Sequence, residues 1–295
     1  MSKNNSIITI PLTYTPPYDW DRMRGYLAYR VIKGIEYFQG ETYYRAVNIT
    51  VAQRNYRDII SLYHEPLANR FILSLPTTLY HVKSNLIARV SHLLDLSCNP
   101  QPIAAALATI SRHTNNTYQI GTRLPGCFDP FEMSVRAILG QQVTVKAAHT
   151  LAGRFAATLG QPLTTNHPEI DRTFPTPATI VAIPGRIEDT LGPIGITGAR
   201  ARSIAALAHA LHNGTLSLNY GADPISTMAQ LLALPGFGLW TANYVAMRAL
   251  GWRDAFPHTD LGIRKALPGL TPKEILALAE HWRPWRSYAT MALWS

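Results

Sequence analysis

One break in composition constrains this chain more than any other feature. Up to about residue 95, Tyr and β-branched residues come in runs: 7–10, 43–51, 58–63 and 71–75. Such runs predict strands, and 19–32, with Trp20, Met23, Leu27 and Val31 near helical spacing, predicts a helix. After Asn99-Pro100 the pattern becomes helices split by Pro and Gly. Helices are expected over 101–112, 130–140, 143–159, about 176–183, 198–212, 225–234, 239–250, 261–267, 272–280 and 285–294. Residues 160–175 read as a surface loop, and no repeat of 20–50 residues is present. The expected fold class is therefore α+β: an N-terminal mixed strand/helix domain, residues 1–95, packed on mainly α-helical subdomains.

The chain has 295 residues, 47% of them hydrophobic and 15% charged, which excludes a disordered protein. No apolar run reaches the roughly 18 residues of a spanning helix without a Pro, Gly or charge, so no membrane is expected as partner. The 27 Lys and Arg exceed the 18 Asp and Glu by nine. That surplus favours nucleic acid, anionic lipid or a phosphorylated metabolite; the plain alternative is an ordinary basic protein. Cys98 and Cys127 are too few for a four-thiolate zinc site or an iron–sulfur cluster, although one disulfide is arithmetically open. The start, Met1 to Asn5, leads into a short apolar run broken at Pro11, unlike a signal peptide. A reducing, cytoplasmic setting is the expectation.

The stretch from Leu231 to Tyr244, LLALPGFGLWTANY, carries the most chemistry. One helix ends at Leu234, Pro235 cannot continue it, and Gly236 and Gly238 permit unusual backbone angles before a second helix begins near Leu239. The turn brings backbone N–H groups to a helix N-terminus, which suits an anion and, in a basic protein, a DNA phosphate. Phe237 would plug the gap between the helices. A tight helix–helix turn with no ligand is the bland alternative. Trp240 and Tyr244 then share one helix face, as core or as an aromatic wall. Asp260 precedes a further helix; it is an N-cap, a carboxylate at the mouth of a site, or both.

A Leu-Pro-Gly-x-Gly hairpin followed 22 residues after Gly238 by Asp260 resembles the helix-hairpin-helix DNA glycosylase superfamily. Within it the chain is most similar to the bacterial 3-methyladenine DNA glycosylase II (AlkA) family. Further segments carry the likeness across nearly the whole chain: Pro16-Pro17-Tyr18-Asp19-Trp20, Arg123-Leu124-Pro125-Gly126-Cys127, Val135 to Gln141, Trp240 to Tyr244, and Trp285-Arg286-Ser287-Tyr288-Ala289. The resemblance implies a discontinuous helical subdomain, 96–129 plus 253–295, carrying the catalytic Asp260, and a second, 130–252, carrying the hairpin. It implies a base pocket of Trp240, Tyr244, Trp294, Tyr26 and Gln141. Gly236, Phe237, Gly238, Thr241 and Gln142 would meet DNA, and the carbonyls of Leu232, Leu234 and Gly236 would hold a structural Na+ or K+. No other cofactor is expected.

The implied activity is that of a monofunctional glycosylase. It flips alkylated, cationic purines such as 3-methyladenine and 7-methylguanine out of double-stranded DNA and leaves an abasic site, acting as a monomer in base excision repair. Electron-rich aromatic faces attract such cations by roughly 0.5–2 kcal/mol. A desolvated carboxylate stabilises the charge that builds on the sugar. Bifunctional relatives carry a nucleophilic Lys where this chain has Trp240, so water is the expected nucleophile and no lyase activity is expected. Three departures concern specificity: Gln142 stands at the usual apolar wedge, Thr259 replaces a second Asp, and Leu261 replaces a pocket Tyr.

Weaker signals have bland readings. Gly192 to Gly198 fits a helix–helix turn, not a nucleotide loop. Arg200 and Arg202 suit DNA backbone or solvent equally; His209 and His212 read as surface, and His258 as a loop former. The rival from another class is a non-catalytic hairpin DNA clamp, which would need neither Asp260 nor the aromatic set.

Overall fold

The computed structural model describes residues 6–294; the expected domain limits at residues 1–5 and 295 lie outside it. Five strands, β1 Ile7–Thr13, β2 Glu36–Gln39, β3 Thr42–Val51, β4 Arg54–Glu65 and β5 Arg70–Pro76, form one antiparallel sheet in the order β1-β5-β4-β3-β2. Alternation sorts each strand's side chains to two faces. On one face Tyr43, Val47, Ile60, Leu62, Phe71 and Leu73 pack with Trp20, Met23 and Leu27 of α1 (Trp20–Ala28). Leu86, Val90 and Leu93 of α2 (Lys83–Leu93) complete that core. The short strand β2 and the helix α2 were not foreseen; α2 mixes Ser, Asn, Arg and His among its apolar positions and shows no clean stripe until its packing is known.

The remaining chain is helical: α3 Pro100–Leu107, α4 Pro130–Leu139, α5 Val145–Leu159, α6 Pro177–Val181, α7 Ile187–Leu191, α8 Gly198–His212, α9 Pro224–Leu232, α10 Leu239–Arg248, α11 Leu261–Ala266, α12 Pro272–Ala279 and α13 Arg286–Leu293. Side-chain caps fix many starts. Asp129, Thr144, Thr197, Asp223 and Asp260 each accept backbone N–H groups of the first turn. α4 is buried on nearly every side and lies against α5, α8 and α10, so it is the spine of the helical part.

Residues 160–175 are a correction to the surface-loop reading. Gln161–Pro162 and Arg172–Thr173 pair as a short ribbon, and Ile170, 1% exposed, bridges to Gly34 and joins the main core. Its polar composition hides a docking strap between helical subdomain and sheet. Segments 96–129 and 253–294 are joined by hydrogen bonds: Asn116 Nδ2 to the carbonyls of Ala292 and Leu293 at 3.1 Å, and Arg253 Nη2 to Ser97 Oγ at 3.4 Å. Tyr288 OH also donates to Asp95 at 2.7 Å. Cys98 and Cys127 are buried free thiols, so the disulfide that was open on arithmetic is not formed.

Candidate active site

α9, the turn 233–238 and α10 form the helix-hairpin-helix, with Leu231 and Phe237 buried between the helices. Gly236 has φ +78°, and a Cβ there would sit 2.1 Å from Ser203 Oγ on α8. Only glycine fits that close approach in a left-handed conformation. Gly238 is open to solvent and caps α10. The amides facing outward are those of an exposed turn, whereas the Phe237 side chain is a plug.

Past the hairpin, α10 carries Trp240 and Tyr244, whose rings stack at 5.1 Å and 8°. α13 ends at Trp294, 6.3 Å from Tyr244 and inclined by 45°. Asp260 lies between them. Its Oδ1 accepts from Gly262 N at 2.7 Å, Ile263 N at 3.2 Å and Trp294 Nε1 at 2.8 Å; its Oδ2 accepts from Trp240 Nε1 at 2.7 Å. One carboxylate is thus an N-cap and the meeting point of both tryptophans. Three of its four donors lie on Oδ1, so Oδ2 keeps the greater acceptor capacity. Gly262 makes the geometry available, since a Cβ there would meet Trp294 Cδ1 at 2.8 Å.

These groups border a cavity of about 430 Å³, also reached by Arg30, Arg136, His149, Met133 and Leu261. That volume leaves ample room for a nucleobase. A second, open groove of about 840 Å³ runs beside it along Gln142, Gly236, Gly238 and Thr259 to Asp260. Gln142 is exposed at φ +53°, an unusual conformation for a side-chain-bearing residue.

Several expected site residues sit elsewhere. Gln141 is absent from the cavity lining; its Nε2 donates to Gly236 O and Thr241 Oγ1, both at 2.9 Å. It therefore braces the hairpin. Thr241 is 2% exposed, its hydroxyl accepts from Gln141, and it borders the open groove. Tyr26 does not line the cavity; it lies behind it under the Arg30 guanidinium, 4.0 Å from its ring, and the Arg248 guanidinium, at 4.9 Å. The Gly236 carbonyl is engaged by Gln141 and the Leu234 carbonyl by the Phe237 N–H at 3.2 Å. A carbonyl oxygen has two lone pairs, so each of these keeps one with which it would hold the expected Na+ or K+. Arg200 donates to the Gln141 carbonyl, and Arg202, largely exposed, pairs with Glu188 at 3.0 Å. His209 and His212 are exposed.

Sequence reasoning missed the cationic groups. Arg248, 1% exposed, lies 5.4 Å from the Tyr244 ring and 5.7 Å from Trp294. Its position was available as the next step of the 240, 244, 248 row. Arg30 and His149 gave no local signal. Burial pushes the Tyr244 phenol up, but Arg248, Arg30 and Arg136 outweigh it and hold the phenol at about 8. Burial and the same Arg136 and Arg30 charges push the His149 imidazole below its ordinary range.

The chain matches the AlkA N-terminal domain family over residues 9–129 and the HhH-GPD superfamily of base excision DNA repair proteins over 135–274. It is 37% identical to DNA-3-methyladenine glycosylase 2 of Escherichia coli, over 96% of this chain and 95% of that one. The chain belongs to the AlkA-type DNA-3-methyladenine glycosylases. The fold agrees. The 3-methyladenine DNA-glycosylase of Archaeoglobus fulgidus superposes with a TM-score of 0.74 over 97% of both chains, at 18% identity. The Clostridium acetobutylicum 8-oxoguanine glycosylase/lyase, solved with double-stranded DNA, gives 0.63 over 88% of this chain and 86% of that one, at 16% identity. In this AlkA-type chain Asp260 and the aromatic set occupy a single cleft between the hairpin helix and the C-terminal helix.

Proposed function

We propose that this AlkA-type protein is a monofunctional DNA glycosylase for alkylated purines, acting as a monomer on duplex DNA. The observation that carries the reading is the Asp260 carboxylate, held by both cavity tryptophans at the mouth of a base-sized, aromatic-walled space. The hairpin turn binds phosphate beside the lesion, and the exposed Gln142 enters the stack as the base leaves it. The base slides between aromatic faces, where a ring made cationic by alkylation is attracted and broad shapes are accepted.

As the bond from C1′ to the base nitrogen breaks, its electron pair leaves with the base. Positive charge then grows on the sugar, and the Asp260 carboxylate stabilises it. Water forms the new bond to C1′ and releases a proton, for which Oδ2 is the available acceptor. Trp240 fills the place where a lyase would present an amine, and its indole N–H is committed to Asp260. No side chain then attacks the sugar, and the strand stays intact. End-labelled duplex carrying 7-methylguanine or hypoxanthine should break only after hot alkali. Breaks without alkali would mean lyase chemistry and overturn the monofunctional reading.

A further inference from the structure

The cavity has a second wall that the reaction described above does not use. Arg30, in the turn after α1, reaches it from the N-terminal domain, and His149 faces it from α5. The two arginines of this wall differ. Arg136 is committed: its guanidinium lies 3.3 Å from Glu132 and 3.6 Å from Glu36, and donates to the Arg30 carbonyl at 2.6 Å. Arg30 has no carboxylate partner among the described residues. Among the described residues its guanidinium makes one hydrogen bond, a long one of 3.4 Å to Tyr26 O, and is held by stacking 4.0 Å over the Tyr26 ring and 5.9 Å from Tyr29. A positioned guanidinium with most of its five N–H groups unspent seeks acceptor oxygens. His149 stands beside it, its ring 5.8 Å from Tyr29 and its Nε2 without a protein partner.

We propose that Arg30 is a specificity-determining residue of the base pocket, donating to an exocyclic carbonyl oxygen of the flipped base and so favouring 6-oxopurines over purines that lack that acceptor. The inference rests on the glycosylase reading. It gives the N-terminal domain a part in base choice, because that domain supplies the donor. It also separates the two walls by task. The aromatic wall and Asp260 receive ring charge, while the Arg30 wall reads the base edge and, being itself cationic, adds nothing for a cationic ring. His149, kept neutral by its surroundings, is placed to assist.

The test compares single-turnover release of hypoxanthine and of unsubstituted purine from otherwise identical duplexes, which isolates the 6-oxo edge. Wild type should prefer hypoxanthine. Arg30→Ala should lose at least about tenfold on hypoxanthine, the worth of a charge-assisted hydrogen bond, with little change on purine. Arg30→Gln, which keeps an N–H donor, should recover part of that loss, and thermal melts of both variants should match wild type. Equal losses on both bases, or none on either, would overturn the assignment while leaving the glycosylase reading intact. Failure of wild type to release any altered base, 7-methylguanine included, would overturn both.

Discussion

Asp260 receives four donors from three different elements, and each constrains the others. The helix cap fixes Oδ1, the C-terminal indole closes on the same oxygen, and Trp240 turns Oδ2 toward the cleft. The surrounding charge is unusual for a pocket meant for cations, because Arg248 lies 5.4 Å from the Tyr244 ring and Arg30 and Arg136 add to its field. Their field holds the Tyr244 phenol below its ordinary range, at about 8. Absorbance titration at 295 nm should show a tyrosine ionising near pH 8 that disappears in Tyr244→Phe. The sign for stability follows from an unfolded value near 10. The tyrosinate's contribution is full above about pH 10 and is lost as pH falls through about 8. The stability gap between wild type and Tyr244→Phe should therefore widen from pH 8 to 10. A gap that is flat across that interval would contradict the charge arrangement.

At the level of elements, the hairpin was legible because glycine and proline report backbone geometry directly. Gly236 and Gly238 looked equivalent in sequence, and the fold separates them. Gly236→Ala meets Ser203 and an adverse φ, so a loss of more than about 1 kcal/mol and weaker DNA binding are expected. Gly238→Ala, with open space and φ −86°, should keep the melting temperature. Equal effects in calorimetry would contradict the distinction that the fold draws between the two glycines. The same physics explains what sequence hid. Tyr26 and Gln141 are placed by contacts far along the chain, and the strap at 160–175 gains its order by bridging to Gly34, which its own local pattern does not announce. The Trp240–Tyr244 row was visible because both rings lie on one helix; Trp294 joined them only through the resemblance, being 34 residues beyond Asp260.

Across the whole molecule, the N-terminal sheet is riveted to the helical spine by buried charge. Arg45 pairs with Glu132 of α4 and, at 3.3 Å, with Glu36; Arg136 bridges the same two carboxylates; and Tyr43 OH donates to Glu36. Two guanidiniums balance two carboxylates, and the cluster sits next to Arg30, so it also holds one wall of the cavity in place. Arg45→Met leaves an uncompensated buried carboxylate and should cost about 3 kcal/mol in urea unfolding. Adding Glu132→Leu restores the balance and should regain most of it. A double variant no more stable than the single one would show that shape, and not charge balance, holds the interface.

The most direct measurement of the central claim is single-turnover release of 7-methylguanine by Asp260→Asn, with duplex affinity measured on the same sample. Asparagine keeps the size of the side chain and one oxygen but removes the negative charge. The predicted result is a fall in release of roughly 10²–10³-fold, the scale of losing one charge-stabilising group, with DNA affinity unchanged. Release at the wild-type rate would contradict Asp260 as the centre of the reaction, and a protein that binds equally well but releases nothing in either form would be a hairpin clamp.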